Sequence, residues 1–199
     1  MKIVCIGDSL TEGDYGVFGK SGIANVHPEN YPYFLSQLMD CEVANCGKCG
    51  FTSSSYLKMY REGKVDVHDA DAVLLMLGTN GGLDPDGDTQ GNRDYDTLVG
   101  LIRRDAPQAR LILLTPPHVT VNPAFSNCGY LPRVEAAVGF TRAYAAAHDL
   151  PLIDAAAFPD FTAETEAVYQ ANDGLHFVEA GYRRLAERIA EALRPLLGH

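Results

Sequence analysis

The chain is short of positive charge: 16 Lys and Arg stand against 26 Asp and Glu, a formal net charge of −10. Nucleic-acid backbones and anionic membrane surfaces are gripped by basic faces, so this balance argues against both as partners. No apolar run approaches the roughly 18 residues of a membrane span. The apolar start Ile3–Ile6 is cut by Gly7 and Asp8, too soon to form the core of a secretory leader. A cytoplasmic protein is the expectation. The five cysteines, an odd number, suit reduced thiols better than a disulfide framework. Tryptophan is absent, which excludes nothing. Internal repeats, low-complexity tracts and linkers are lacking too, so residues 1–199 read as one domain, long enough to bury a core. Nothing in the sequence sets an oligomeric state.

What is present is an alternation. Short runs rich in Val, Ile and Leu fall at Lys2–Ile6, Glu42–Ala44, Ala72–Leu77, Arg110–Leu114 and Pro151–Ile153. They are read as buried strands, apolar on both faces, of a parallel sheet. Amphipathic stretches predict helices around Tyr31–Met39, Ser53–Arg61, Tyr95–Arg104, Pro132–His148 and Val178–Leu196. Strand alternating with helix implies right-handed crossovers and an α/β fold: a three-layer α/β/α sandwich on a five-stranded parallel sheet, flavodoxin-like order 2-1-3-4-5. Three long loops, Asp14–Asn30, Gly81–Asp94 and Pro116–Leu131, fall after strand ends, at the edge where such sheets bind ligands.

The first strand runs into Gly-Asp-Ser. A serine hydroxyl is a weak nucleophile unless a base takes its proton. At a strand-to-helix turn Ser9 lies where free backbone N–H groups favour developing negative charge, although Asp8, Ser9 and Thr11 also suit plain helix capping. The turn lacks the Gly-x-Ser-x-Gly spacing of the α/β-hydrolase elbow. Of the six histidines only His176 sits in a motif, "NDGLHFVEAGY", where Asp173 lies three residues earlier and can reach the imidazole. By itself Asp-x-x-His also describes an ordinary helix-entry loop. Oxyanion donors are available at two more strand ends: Asn80 in "LGTNGG" and Gly50 in "NCGKCGFTSSS", both also common turn residues.

The blocks occur in a fixed order. Gly-Asp-Ser-Leu follows strand one, Asn-x-Gly-x-x-Gly-x-Thr strand two, Gly-x-Asn strand three, and Asp-x-x-His precedes the last helix. From Gly7 to Tyr182 the chain resembles the GDSL, or SGNH, hydrolases, with Ser9, Gly50, Asn80 and His176 on the four name-giving positions. The resemblance implies a flavodoxin-like sandwich and hydrolysis of esters or thioesters without cofactor or metal. It implies Ser9 as nucleophile and oxyanion donor, Gly50 and Asn80 as further donors, and Asp173 and His176 as the remaining triad members. The third block departs from the usual Gly-x-Asn-Asp, since Gly81 follows Asn80, and Gly47 competes with Gly50 in the same turn.

Within that class the polar loops suggest a small-molecule ester, a short acyl group on a polar alcohol or sugar. A lysophospholipase or thioesterase for longer chains, and a catalytically silent binding protein on the same fold, are the alternatives. Other signals are weaker. Cys41, Cys46 and Cys49 have an iron–sulfur-like C-x4-C-x2-C spacing, with Cys128 as a distant fourth, and Cys46-x-x-Cys49 resembles a redox pair. "LDPDGDTQGNRDYD" suggests a calcium loop, but measured from Asp84 its glycine and twelfth residue are misplaced. Tyr15, Phe18, Tyr31, Tyr33, Phe125 and Tyr130 are candidates to line a pocket.

Overall fold

The structure is a computed structural model describing residues 1–16 and 24–198. Phe18 and His199, and the middle of the loop after residue 14, lie outside the described residues. Five strands, β1 (Lys2–Gly7), β2 (Glu42–Gly47), β3 (Ala72–Met76), β4 (Arg110–Leu114) and β5 (Leu152–Ile153), form one parallel sheet of order β2-β1-β3-β4-β5. This is the flavodoxin-like order expected from the alternation of elements.

Side chains alternate across each strand and so build two cores. Val4, Ile6, Val73 and Leu75 face α3 (Ser53–Arg61), α4 (Gln90–Asp105) and α5 (Leu131–Ala147), meeting Tyr56, Tyr95, Ile102 and Phe140. Ile3, Cys5, Leu74 and Met76 face α2 (Tyr31–Met39) and α7 (Glu179–Leu197), the latter preceded by the short α6 (Glu166–Tyr169), and meet Tyr31, Phe34, Tyr182 and Ile189. These β1 and β3 side chains are fully buried, each contributing about 1.5–3 kcal/mol relative to exposure if it is Val, Leu, Ile or Met.

Two elements differ from their sequence reading. β2 is an edge strand with Glu42 and Asn45 exposed, so its pattern is not apolar on both faces. The helix expected at Tyr95 begins at Gln90, because the Thr89 hydroxyl accepts the Asn92 N–H and caps a first stretch of four polar residues and a glycine that periodicity cannot detect. The other helix ends agree within a residue, helped by Asn30 capping α2 and a Thr52–Ser55 capping box on α3.

The order reverses beside β1, whose end is flanked by β2 and β3. That reversal opens the crevice at the C-terminal ends of the strands where ligands bind in such sheets. The turns after β1 and β2 are locked together there. Gly7 pairs with Gly47, and a Cβ on Gly47 would lie 2.1 Å from the Glu12 N atom. Asn45 Nδ2 donates to the Thr11 carbonyl at 2.9 Å while its Oδ1 accepts the Gly47 N–H at 2.9 Å. Gly47→Ala must push the two turns apart. A loss of about 1–3 kcal/mol in denaturant unfolding is expected, against no loss for Ala at the exposed Gly100 of α4, where nothing lies within 4 Å of the added Cβ and the helical backbone favours alanine.

Candidate active site

After β1, Asp8 leaves the strand and caps a single helical turn, α1 (Ser9–Glu12), its Oδ1 accepting the Leu10 N–H at 3.1 Å. Ser9 is thereby the first residue of a turn that ends at Gly13 in the left-handed region, φ +99°. The partner arrives from the other end of the chain. Within the loop that the Gln170–Phe177 bridge closes ahead of α7, the chain turns at Gly174, φ +73°, where a Cβ would lie 2.3 Å from Thr120 Cγ2. Only glycine fits that turn. It brings Asp173 Oδ1 onto the N–H groups of Leu175 and His176, both at 3.0 Å, and Asp173 Oδ2 to 2.6 Å from His176 Nδ1. His176 Nε2 then lies 2.9 Å from Ser9 Oγ. Ser9, Asp173 and His176 are all buried.

The charges are arranged to favour imidazolium. Burial opposes protonation of His176, but the hydrogen bond and charge of Asp173, with Asp14 and Asp8 behind them, outweigh it and hold the pKa above the ordinary imidazole value. Burial likewise pushes Asp173 up, and its bonds to His176 and to two backbone N–H groups bring it below the usual carboxylate range. Asp8 is the exception. Completely buried, it is pushed up to about 6 by desolvation, which the Leu10 N–H and the nearby Thr79 and His176 only partly oppose.

Gly50 and Asn80 line the same cavity, of about 330 Å³, as Ser9, Asp173 and His176. Gly50 has φ +75° in the turn after β2, whose Cys49 N–H is held by the Glu12 carboxylate at 2.5 Å, with Lys48 Nζ on the same carboxylate at 2.9 Å. Gly47 is packed against α1 instead, so the structure brings Gly50, not Gly47, to the site. Asn80 Nδ2 donates one bond to the Phe51 carbonyl at 3.1 Å, which orients the amide and leaves its second N–H. The Ser9 and Gly50 N–H groups bond to no acceptor among the described residues. Gly81, which replaces the usual aspartate, sits at φ +87° in a turn closed by its N–H on the Gly78 carbonyl.

Other sequence signals go elsewhere. Cys41 packs with the α2–α7 core and Cys46 with the opposite core, so these two thiols are separated by the sheet; all five cysteines are free. Among the described residues no group of three His, Cys, Asp or Glu is placed to hold a metal ion. Asp84 accepts the Asp86 N–H within the acidic loop leading to α4. Of the aromatic candidates, Tyr130 lines the cavity, Tyr31 is core, Tyr33 is exposed, and Tyr15 stacks on His27 and Tyr182. Asp14, Cys49 and Asn127 also line the cavity; the sequence reading weighed Cys49 only as a metal or redox candidate and did not select Asp14 or Asn127. Those two belong to none of the four blocks, and only the fold brings their loops back onto the cavity. A larger depression beside the first turn of α7, lined by Arg183, Arg184 and Glu187, contains neither Ser9 nor His176.

A parallel sheet of this order, with a hydroxyl, an imidazole and a carboxylate in series at its C-terminal edge, is the architecture of a three-layer α/β/α hydrolase. Residues 5–184 match the model of the GDSL-like Lipase/Acylhydrolase family, and the chain belongs to that family. It is a carboxylic ester hydrolase. Among solved structures it is similar to a lipase/acylhydrolase from Enterococcus faecalis, at 25% identity, covering 98% of this chain and 96% of that one, with a TM-score of 0.68. The aryl esterase of M. smegmatis (22% identity, 98% and 99% covered, TM-score 0.76) and a carbohydrate acetylesterase from Sinorhizobium meliloti (20%, 98% and 99%, TM-score 0.74) share the fold. No curated protein matches the sequence significantly. Among the described residues no helix is long and apolar enough to cross a membrane.

Asp8 generates a stability prediction. Its folded pKa lies above the 3.8 of a free aspartate, so folding favours the protonated form. That stability is complete below about 3.8 and is lost as pH rises through about 6, to the order of 3 kcal/mol. Asp8→Asn keeps the oxygen that accepts the Leu10 N–H and removes the charge. Its thermal midpoint is expected to exceed wild type at pH 8 and to converge with it near pH 4. An equal gap at both pH values would contradict the assignment.

Proposed function

We propose that the protein cleaves a carboxylic ester through an acyl-enzyme, with Ser9 as nucleophile, His176 as general base and then acid, and Asp173 as the carboxylate that orients His176. The observation that carries this reading is the unbroken series Ser9 Oγ–His176 Nε2 at 2.9 Å and His176 Nδ1–Asp173 Oδ2 at 2.6 Å. As Ser9 Oγ attacks the carbonyl carbon, its proton passes to Nε2 and charge gathers on the carbonyl oxygen. The N–H groups of Ser9 and Gly50 and the free N–H of Asn80 are the donors proposed for that oxygen. The tetrahedral intermediate collapses as His176 protonates the departing alcohol. Water, deprotonated by the same imidazole, then attacks the acyl-enzyme and releases the acid.

The substrate proposed is a small ester, a short acyl group such as acetyl on a polar alcohol or sugar. The polar lining supports it: Asp14, Asn80, Asn127 and Tyr130 outnumber the apolar Ala24 and Leu175 in a cavity of about 330 Å³. The same reading takes residues 1–199 as one domain. Five free thiols fit a cytoplasmic setting.

Nitrophenyl esters from acetate to decanoate test the reading. Acetate is expected to turn over best. A preference for long chains would favour a lysophospholipase or thioesterase, and no Ser9-dependent hydrolysis a silent binding protein. Asn80→Ala is expected to lose roughly 10²–10³ in kcat, and Ser9→Ala more, with the fold intact by circular dichroism. The pH profile carries a sign. The base must be neutral and its pKa is raised, so kcat/KM should climb through a midpoint above the roughly 6.5 of a free imidazole. A midpoint at or below that value would remove the flanking carboxylates from the explanation.

A further inference from the structure

The mechanism above leaves unused a buried carboxylate that lines the cavity, that of Asp14. Asp14 directly follows the α1 turn, and its backbone is tied to the site from both sides: its N–H donates to the Ser9 carbonyl at 3.0 Å, and its carbonyl accepts the Tyr182 hydroxyl at 2.6 Å. It is 5% exposed and lines the same cavity as Ser9. The two carboxylate oxygens have different surroundings. Oδ1 accepts the N–H groups of Gly16 at 2.9 Å and Asn25 at 3.0 Å. Among the described residues, Oδ2 has only the weak thiol donor of Cys49 at 3.8 Å, and His176 Nε2 at 3.8 Å, too far for a hydrogen bond. A nearly buried carboxylate oxygen with open lone pairs beside a reactive pair is a costly feature unless a ligand completes it.

Resting on the esterase reading of this site, we propose that Asp14 determines specificity for the alcohol half of the substrate. Its Oδ2 accepts a hydrogen bond from a hydroxyl adjacent to the ester oxygen, as in a partly acylated polyol or sugar. The location follows from Nε2. That atom delivers the proton to the departing oxygen, which must therefore come within hydrogen-bond reach of it. Oδ2 lies on that edge of the imidazole, so a hydroxyl one carbon beyond the departing oxygen meets the open acceptor. An anionic group at the same place meets a like charge.

Glycerol 1-acetate and propyl acetate form a matched pair, the second lacking the hydroxyls. Acetoxyacetate, an acetate ester bearing a carboxylate beside the leaving oxygen, is the repelled probe. A hydrogen bond to a charged acceptor corresponds to roughly 10–100-fold, so wild type is expected to favour glycerol acetate over propyl acetate by at least about tenfold in kcat/KM and to disfavour acetoxyacetate. In Asp14→Asn the two backbone donors hold the amide oxygen in the Oδ1 position, turning the NH2 toward the cavity. The preference should fall to within about threefold and acetoxyacetate should gain. Loss of charge near His176 alters all three rates together at one pH and cancels from their ratio, as would a purely structural role. Should Asp14→Asn not fold, Asp14→Ser is read in the same way, and the wild-type ratio stands alone as a test. A wild-type ratio near one, or a large ratio retained in the variant, overturns the role of Asp14. Absence of Ser9-dependent hydrolysis of nitrophenyl acetate brings down the esterase reading with it.

Discussion

The site depends on one contact between distant parts of the chain, the 2.9 Å hydrogen bond joining Ser9 to His176 across 167 positions of sequence. Neither residue could hold it alone. Ser9 is fixed because β1 is an inner strand, paired on both sides and buried on both faces, so the turn that follows has little freedom. His176 is fixed because α7 buries Tyr182, Leu185, Ile189 and Leu193 in the same core that receives Ile3 and Cys5 of β1. Dense packing of this kind transmits position, so the hydrophobic core sets the distance between two polar atoms at its rim.

Around that bond the polar groups form two sets. Asp8, Asp14 and Asp173 approach one imidazole, and all three are buried. Asp173 is compensated by two backbone N–H groups and the imidazole, and its acidity rises; Asp8 has too few donors, and its acidity falls. The second set is the bracing between turns. Glu12 holds the Cys49 N–H beside Gly50, and Asn45 holds both α1 and Gly47. The turn after β1 and the turn after β2 therefore behave as one piece, which is what preorganised donors require.

Much of this was legible from residues alone. The strands of the inner sheet announced themselves as continuous apolar runs, and α7 by its repeating Leu and Ile. Ser9, Gly50, Asn80, Asp173 and His176 could be picked out because each stands in a short block, at a strand end or just before the last helix, and the structure brings all five to one cavity. What escaped was tertiary. β2 shows a mixed pattern because an edge strand needs only partial burial, and the first turn of α4 consists of polar residues recruited by a cap. Asp14 carries no motif. Its closeness to His176 arises from a loop that returns to Ser9 and to Tyr182 on the final helix, contacts that no local pattern encodes.

The distance in sequence between Ser9 and His176 also has a temporal meaning. A ribosome makes this chain in order, so Ser9 emerges before His176 with four strands between them. The hydroxyl therefore leaves the tunnel well ahead of the imidazole it meets in the folded protein. On the mechanism proposed above, acquiring the native topology and acquiring reactivity become a single event.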